Sequence, residues 1–292
     1  MRAAREAVRR LVPPLALDAL RDARRRARKL PREWEAVPAG WRALQTDARL
    51  RGWDVATVAE ANRRHFEAMR AALASTLPLA FAPEHIPDER LAGAPYGEVD
   101  VLLHNTVLGF AYALGLAARG RQELSVLDWG GGVGHYALVC RALFPDLTLR
   151  YHCKDVPATV AIGRTLLPDV EFFADDACFE RRYDFVFASC SLHYSQDWSD
   201  VLGRLARASS GYLLVTQLPV VHRAPSFVFV QRAYQYGYDT EYLGWCLRRE
   251  ALLRAAAGHG LRLERELLNG FRPPVHGAPE RPEYRGFLFR AA

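Results

Sequence analysis

The chain has 292 residues, half of them apolar and a quarter charged, enough to bury a full core as one large domain or a domain with a helical extension. Its five cysteines (140, 153, 178, 190 and 246) are scattered and form no C-x-x-C pair, which argues against a disulfide framework or a zinc site and fits a reducing, cytoplasmic setting. The net charge of +6 is local: residues 1–30 carry ten Arg or Lys against three acids, and the rest of the chain sums to about −1, without the basic stripe that a nucleic-acid enzyme carries on its catalytic domain.

Pro13, Pro14 and Pro31 break the basic region into short helical pieces, a solvated helix face or tail, or a contact for an acidic partner or membrane surface. No apolar signal region with a cleavage site is expected there. Asp54 is a good N-cap for a helix running to about Ser75 with Val55, Val58, Ala61, Phe66 and Met69 near one face. A second helix is expected over 98–119, stopped by Gly120. It contains His104 and Asn105, and is too short and polar to read as a membrane span. Residues 1–98 therefore read as a helical N-terminal cap and 99–292 as the catalytic domain.

From Leu124 the pattern changes to alternating strands and helices, the signature of a mostly parallel sheet covered on both faces. Strands are expected at 124–128, 147–153, 170–173, 183–189 and 211–217, with helices at 134–143, 157–166, 198–207 and 248–257. Two last strands, 261–268 and 284–289, are separated by a Pro/Gly-rich loop and can form an antiparallel hairpin at the sheet edge.

The first strand ends in Asp128-Trp-Gly-Gly-Gly-Val-Gly-His-Tyr136, a strand, a glycine turn and a helix start. Glycines let the backbone turn sharply and admit a ligand to main-chain amides. The dinucleotide fingerprint G-x-G-x-x-G fails here, because its third position falls on His135 from Gly130, and its second on Val133 from Gly131. Asp128 can accept hydrogen bonds from a ligand amine or its water.

In open α/β sheets ligands sit beyond the carboxyl ends of the strands. Asp155 follows the second strand, where a carboxylate can accept both hydroxyls of a ribose or cap the next helix. Asp175 and Asp176 follow the third, as adenine contacts or solvated loop acids. Ser189, Ser191, His193 and Tyr194 follow the fourth. Either His193 is a general base or it is a buried structural histidine. Trp129, Tyr136 and Tyr194 can offer π-faces to a cation or fill the core. Residues 218–247, rich in Phe, Tyr and Trp, read as a lid, a substrate wall or a dimer contact. Asn105 and Tyr112 are expected to close the site from the other side.

From Trp34 to Phe289 the chain resembles bacterial S-adenosylmethionine-dependent methyltransferases of class I fold. The resemblance is carried by Gly52-Trp53-Asp54, His104-Asn105, Asp128 to Tyr136, Asp155-Val-Pro157, Tyr183-Asp184, Ser189 to Tyr194 and Gly237 to Trp245. It implies a Rossmann-like seven-stranded α/β fold with a C-terminal antiparallel hairpin. The implied cofactor is S-adenosylmethionine, held by Asp128, Trp129, Gly130, Gly132, Gly134, Asp155, Asp175, Asp176, Ser189 and Ser191, with His193, Tyr194, Tyr136 and Asn105 at the reacting end and no metal. Members of the family look like accessory enzymes of surface-polysaccharide or natural-product pathways. Three functions stay open at this point: methyl transfer to a small molecule, cyclisation of the donor to azetidine-2-carboxylate and methylthioadenosine, or a non-catalytic binding subunit. A homodimer or a pathway partner fits each of them, with no nucleic acid and no integral membrane segment.

Overall fold

The computed structural model describes residues 32–44, 46–76, 78–79 and 98–291. The basic segment 1–30 lies outside the described residues, and so does most of the connection to the second helix. Ten strands form the sheet: β1 (Trp34–Ala36), β2 (Glu123–Trp129), β3 (Thr148–Lys154), β4 (Glu171–Phe173), β5 (Tyr183–Ser189), β6 (Ser209–Val221), β7 (Phe227–Arg232), β8 (Glu241–Arg248), β9 (Leu261–Leu268) and β10 (Glu283–Ala291). Among the described residues six α-helices cover it: α1 (Ala56–Leu73), α2 (Glu98–Ala118), α3 (Tyr136–Leu143), α4 (Pro157–Leu166), α5 (Trp198–Ala208) and α6 (Arg249–Gly258).

Strands β4, β3, β2, β5 and β6 are parallel neighbours in that order, and β10 joins β6 antiparallel with β9 beyond it. This is the expected doubly wound sheet with its antiparallel hairpin. Phe185 and Phe187 of β5 and Leu124 and Val126 of β2 are fully buried, as strands covered on both faces require. Helix α2 lies on one face with Phe110, Ala113 and Leu114 fully buried among them. Its Asp100–Ala118 window is long and apolar enough to cross a membrane by composition, and half of that window is buried in the fold.

Segment 218–247 is mostly strand. β6 continues to Val221, where Val220 and Val221 pair parallel with Leu247 and Arg248 of β8; β7 pairs antiparallel with β8, and β1 with β7. The aromatic run thus extends the sheet, and the segment before residue 98 supplies a strand as well as a helix. Asp54 does not cap α1, whose N-cap position is Val55; its Oδ1 accepts from the N–H of Ala158 in the first turn of α4, at 2.9 Å.

Candidate active site

A cavity of about 300 Å³ opens beyond the carboxyl ends of β2, β3 and β5 and beside Gln217 within β6, where an open α/β sheet places its ligands. Its floor is the glycine loop. Gly130 and Gly132 adopt φ values of 73° and 62°, the left-handed region in which a Cβ is penalised. A Cβ on Gly131 would collide with the Asp128 carboxylate, and one on Gly130 with the Ser191 side chain. The amides of this turn are largely committed within the protein: Gly130 and Gly131 donate to the Lys154 carbonyl and Gly132 to Asp155 Oδ2. The loop is therefore a cradle shaped by absent side chains, with Asp128 as its main free polar group.

Asp128 is fully buried. Tyr151 donates its hydroxyl to Asp128 Oδ2 at 2.7 Å, while Oδ1 has no partner. Burial and the neighbouring Asp155 carboxyl push Asp128 up to about 7, against a hydrogen bond from Tyr151 that lowers it. A buried carboxyl oxygen without a donor calls for a cationic or N–H-bearing ligand group. Asp155 also lines the cavity and is raised by burial; its oxygens accept from Gly132 N at 2.8 Å and Val156 N at 2.7 Å. It braces the glycine loop against the start of α4, and each oxygen keeps a lone pair for a ligand.

The remaining wall is aromatic and polar. Tyr136 lines the cavity, and its side chain hydrogen-bonds that of Ser189. Ser191 donates to the Trp129 carbonyl at 3.0 Å. Lys154 holds its ammonium 5.6 Å from the Trp129 ring centre. Tyr194 donates to Gln231 Oε1 at 2.7 Å and meets Trp53 edge-on at 4.9 Å. Trp53 in turn stacks flat on Tyr242 with centroids 4.0 Å apart. Together with Asn62 of α1, Leu103 of α2 and Gln217 of β6, Trp53 completes the wall. Trp53 stands in the Gly52-Trp53-Asp54 motif without a site role, and Asn62, Leu103 and Gln217 carry no signal in the sequence. Only long-range pairing brings Trp53 and Gln217 here, whereas Gly131 was visible inside the motif.

Of the residues expected at the site, Asp128, Trp129, Gly130, Gly132, Tyr136, Asp155, Ser189, Ser191 and Tyr194 meet in this cavity. The others do not. Gly134, at φ 81°, lies close to Phe172 and Leu167 and serves helix–strand packing. Asp175 accepts from Ala177 N, capping a short 3₁₀ turn, and Asp176 pairs with Arg204, so both are turned to the surface. Asn105 is half-buried near Gly270, and Tyr112 is exposed to solvent.

His193 is also displaced from its expected role as general base. It has no solvent exposure and does not line the cavity, and neither ring nitrogen has a partner. Its ring packs on Tyr194 at 4.0 Å, and burial pushes its pKa down to about 3. Buried behind the cavity lining, the ring is out of hydrogen-bond reach of a group bound there. His135, at the end of the glycine loop, does line the cavity, with Nδ1 unpartnered and its pKa pushed down to about 4 by burial.

A doubly wound sheet with a glycine cradle and two acids beyond its strand ends defines a class I S-adenosylmethionine-dependent enzyme. Residues 104–266, more than half of the chain, match the family described as a methyltransferase domain, and the chain belongs to that family. No curated protein matches it. Among solved structures it is similar to magnesium protoporphyrin IX methyltransferase from Synechocystis PCC 6803 with bound S-adenosylhomocysteine (13% identity, TM-score 0.45, 70% of this chain and 92% of that one). It is similar to an S-adenosylmethionine-dependent methyltransferase from Clostridium acetobutylicum ATCC 824 (11% identity, TM-score 0.44, 70% and 96%). A third is 1,6-didemethyltoxoflavin-N1-methyltransferase from Burkholderia thailandensis (18% identity, TM-score 0.42, 64% and 79%). S-adenosylmethionine is the cofactor of this class. The residues present fit it, because the Asp128 Oδ1 orphan and the cradle that a Cβ at Gly130 or Gly131 would fill are what a cationic amino-acid arm requires.

Proposed function

We propose that the protein transfers the methyl group of S-adenosylmethionine to a small-molecule acceptor of a natural-product or surface-polysaccharide pathway. One observation carries this reading: one cavity joins the Asp128 carboxyl, whose Oδ1 has no partner, to an aromatic wall of Trp53 and Tyr194. When bound, the cofactor supplies a methyl group already activated on a positively charged sulfur. Asp128 would then hold the ligand ammonium, and Asp155 the sugar hydroxyls through its remaining lone pairs. The faces of Trp129, Tyr136 and Tyr194 favour positive charge in a partly desolvated site. With an activated donor, catalysis is mainly alignment of nucleophile, methyl carbon and sulfur, and the enclosed walls supply that alignment. The near-neutral charge beyond residue 30 supports a small-molecule acceptor over nucleic acid. The scattered cysteines support a cytoplasmic setting.

Incubation of the purified protein with methyl-labelled S-adenosylmethionine, alone and with fractionated small-molecule extracts, followed by mass spectrometry, tests the reading. The donor should persist when alone; with an acceptor present, S-adenosylhomocysteine and a labelled product should form. Methylthioadenosine and azetidine-2-carboxylate from the donor alone would overturn it in favour of cyclisation.

A further inference from the structure

We propose that Gln217 selects and positions the acceptor, and that the acceptor is a neutral aromatic ring bearing an O–H or N–H group, a phenol or an aromatic amine. This rests on the methyl-transfer reading above and adds the substrate class.

Opposite β10, Val215 pairs with Phe287 and Leu218 with Arg285, so Thr216 and Gln217 together face the single residue Gly286. That is a β-bulge, a device that re-aims a side chain next to an active site. Gln217 sits in it at φ 51°, and Cys190, at the end of the adjacent parallel strand, at φ 50°. These are the two non-glycine residues with positive φ among the described residues, and both line the cavity. Left-handed backbone is disfavoured for a residue with a Cβ, and it persists here because the sheet holds it on both sides: Cys190 N donates to the Thr216 carbonyl at 3.0 Å, and β10 pairs on the other flank.

The amide of Gln217 is also oriented. Thr106 of α2 donates its single hydroxyl proton to the Leu102 carbonyl at 2.8 Å and accepts from Asn269 Nδ2 at 2.8 Å. Gln217 Nε2 approaches the same oxygen at 3.4 Å. A hydroxyl whose proton is committed offers only lone pairs, so the NH₂ of Gln217 turns toward α2 and leaves Oε1 for the cavity. An acceptor oxygen there asks its ligand for a donor hydrogen. The charged cavity residues Asp128, Lys154 and Asp155 stand at the ends of β2 and β3, separated from β6 by β5 in the strand order. The uncharged wall contains Trp53, Tyr194 and Leu103, suited to a flat apolar ring.

Phenol, aniline and anisole, which share a ring and differ in the donor hydrogen, are titrated into the protein saturated with S-adenosylhomocysteine and followed by ligand-observed NMR. Phenol and aniline should bind at least about tenfold more tightly than anisole. Gln217→Leu should abolish that difference while leaving the affinity for S-adenosylhomocysteine unchanged. Gln217→Glu, which retains an acceptor oxygen, should keep the preference. A wild-type protein that takes up S-adenosylhomocysteine but binds none of the three rings, or does not distinguish them, overturns the proposal and leaves the methyl-transfer reading standing. So does a Leu variant that still prefers phenol. Failure to bind S-adenosylhomocysteine overturns both. If the Leu variant does not fold, the wild-type comparison and the Glu variant decide.

Discussion

His193 and His135 are 58 positions apart and both buried, yet only His135 reaches the cavity. Their pKa values are pushed down to about 3 and about 4 for the same reason, removal of the charged form from water. Both nitrogens of His193 are buried without partners, a desolvation cost with no return in hydrogen bonding. His193→Phe, similar in shape and apolar, should therefore raise stability by about 1 kcal/mol at pH 7 and leave methyl transfer intact. The sign with pH follows from linkage. The folded chain holds His193 neutral while the unfolded chain binds a proton below its ordinary 6.5, so the native residue loses stability as pH falls from there toward 3. Denaturant unfolding should show the advantage of His193→Phe growing over that range. Loss of activity in this variant would restore His193 to the chemistry.

Among the elements, the segment Gly52 to Asn62 binds distant parts of the chain together. The Thr240 hydroxyl donates to the Gly52 carbonyl at 2.9 Å, Trp53 stacks on Tyr242 of β8, and Asp54 caps the first turn of α4. Asp54→Ala should destabilise the fold by about 1 kcal/mol through the loss of that cap, read as a lower denaturant midpoint at unchanged slope. A midpoint equal to wild type would show that the bond has no energetic weight. The parallel core was legible because its signals are local. β5 and β9 begin and end where the alternation of residues placed them, at Tyr183–Ser189 and Leu261–Leu268. The glycine loop and Asp155 were legible for the same reason. The pairing of β1, β7 and β8 was not, since three residues at Trp34–Ala36 carry too little pattern and the aromatic run around β7 reads equally as a lid. Gln217 carries no local signal because its orientation comes from a bulge against β10, and of the two readings of Asp175 and Asp176 the solvated one holds in the fold, since a loop acid looks the same in sequence whether it faces a ligand or water.

At the scale of the whole molecule, the strand order brings together groups from both ends of the site. Asp128 at the end of β2 and Asp155 after β3 lie on one side of β5; Gln217 of β6 lies on the other. Residues that precede the doubly wound core complete the wall with Trp53 and Asn62. The excess positive charge lies in residues 1–30, and every described group around the cavity lies after it. The cofactor assignment then turns on Asp128, whose carboxyl burial pushes up to about 7 and which must ionise to pair with a ligand ammonium. Calorimetric titration of S-adenosylhomocysteine into wild type and Asp128→Asn across pH 5 to 8 measures this directly. Wild type should tighten by about tenfold per pH unit up to about 7 and then level off, while Asp128→Asn should bind about 10–100-fold more weakly at pH 8 with a flat profile. Equal affinities with parallel pH profiles would contradict the placement of the cofactor against Asp128.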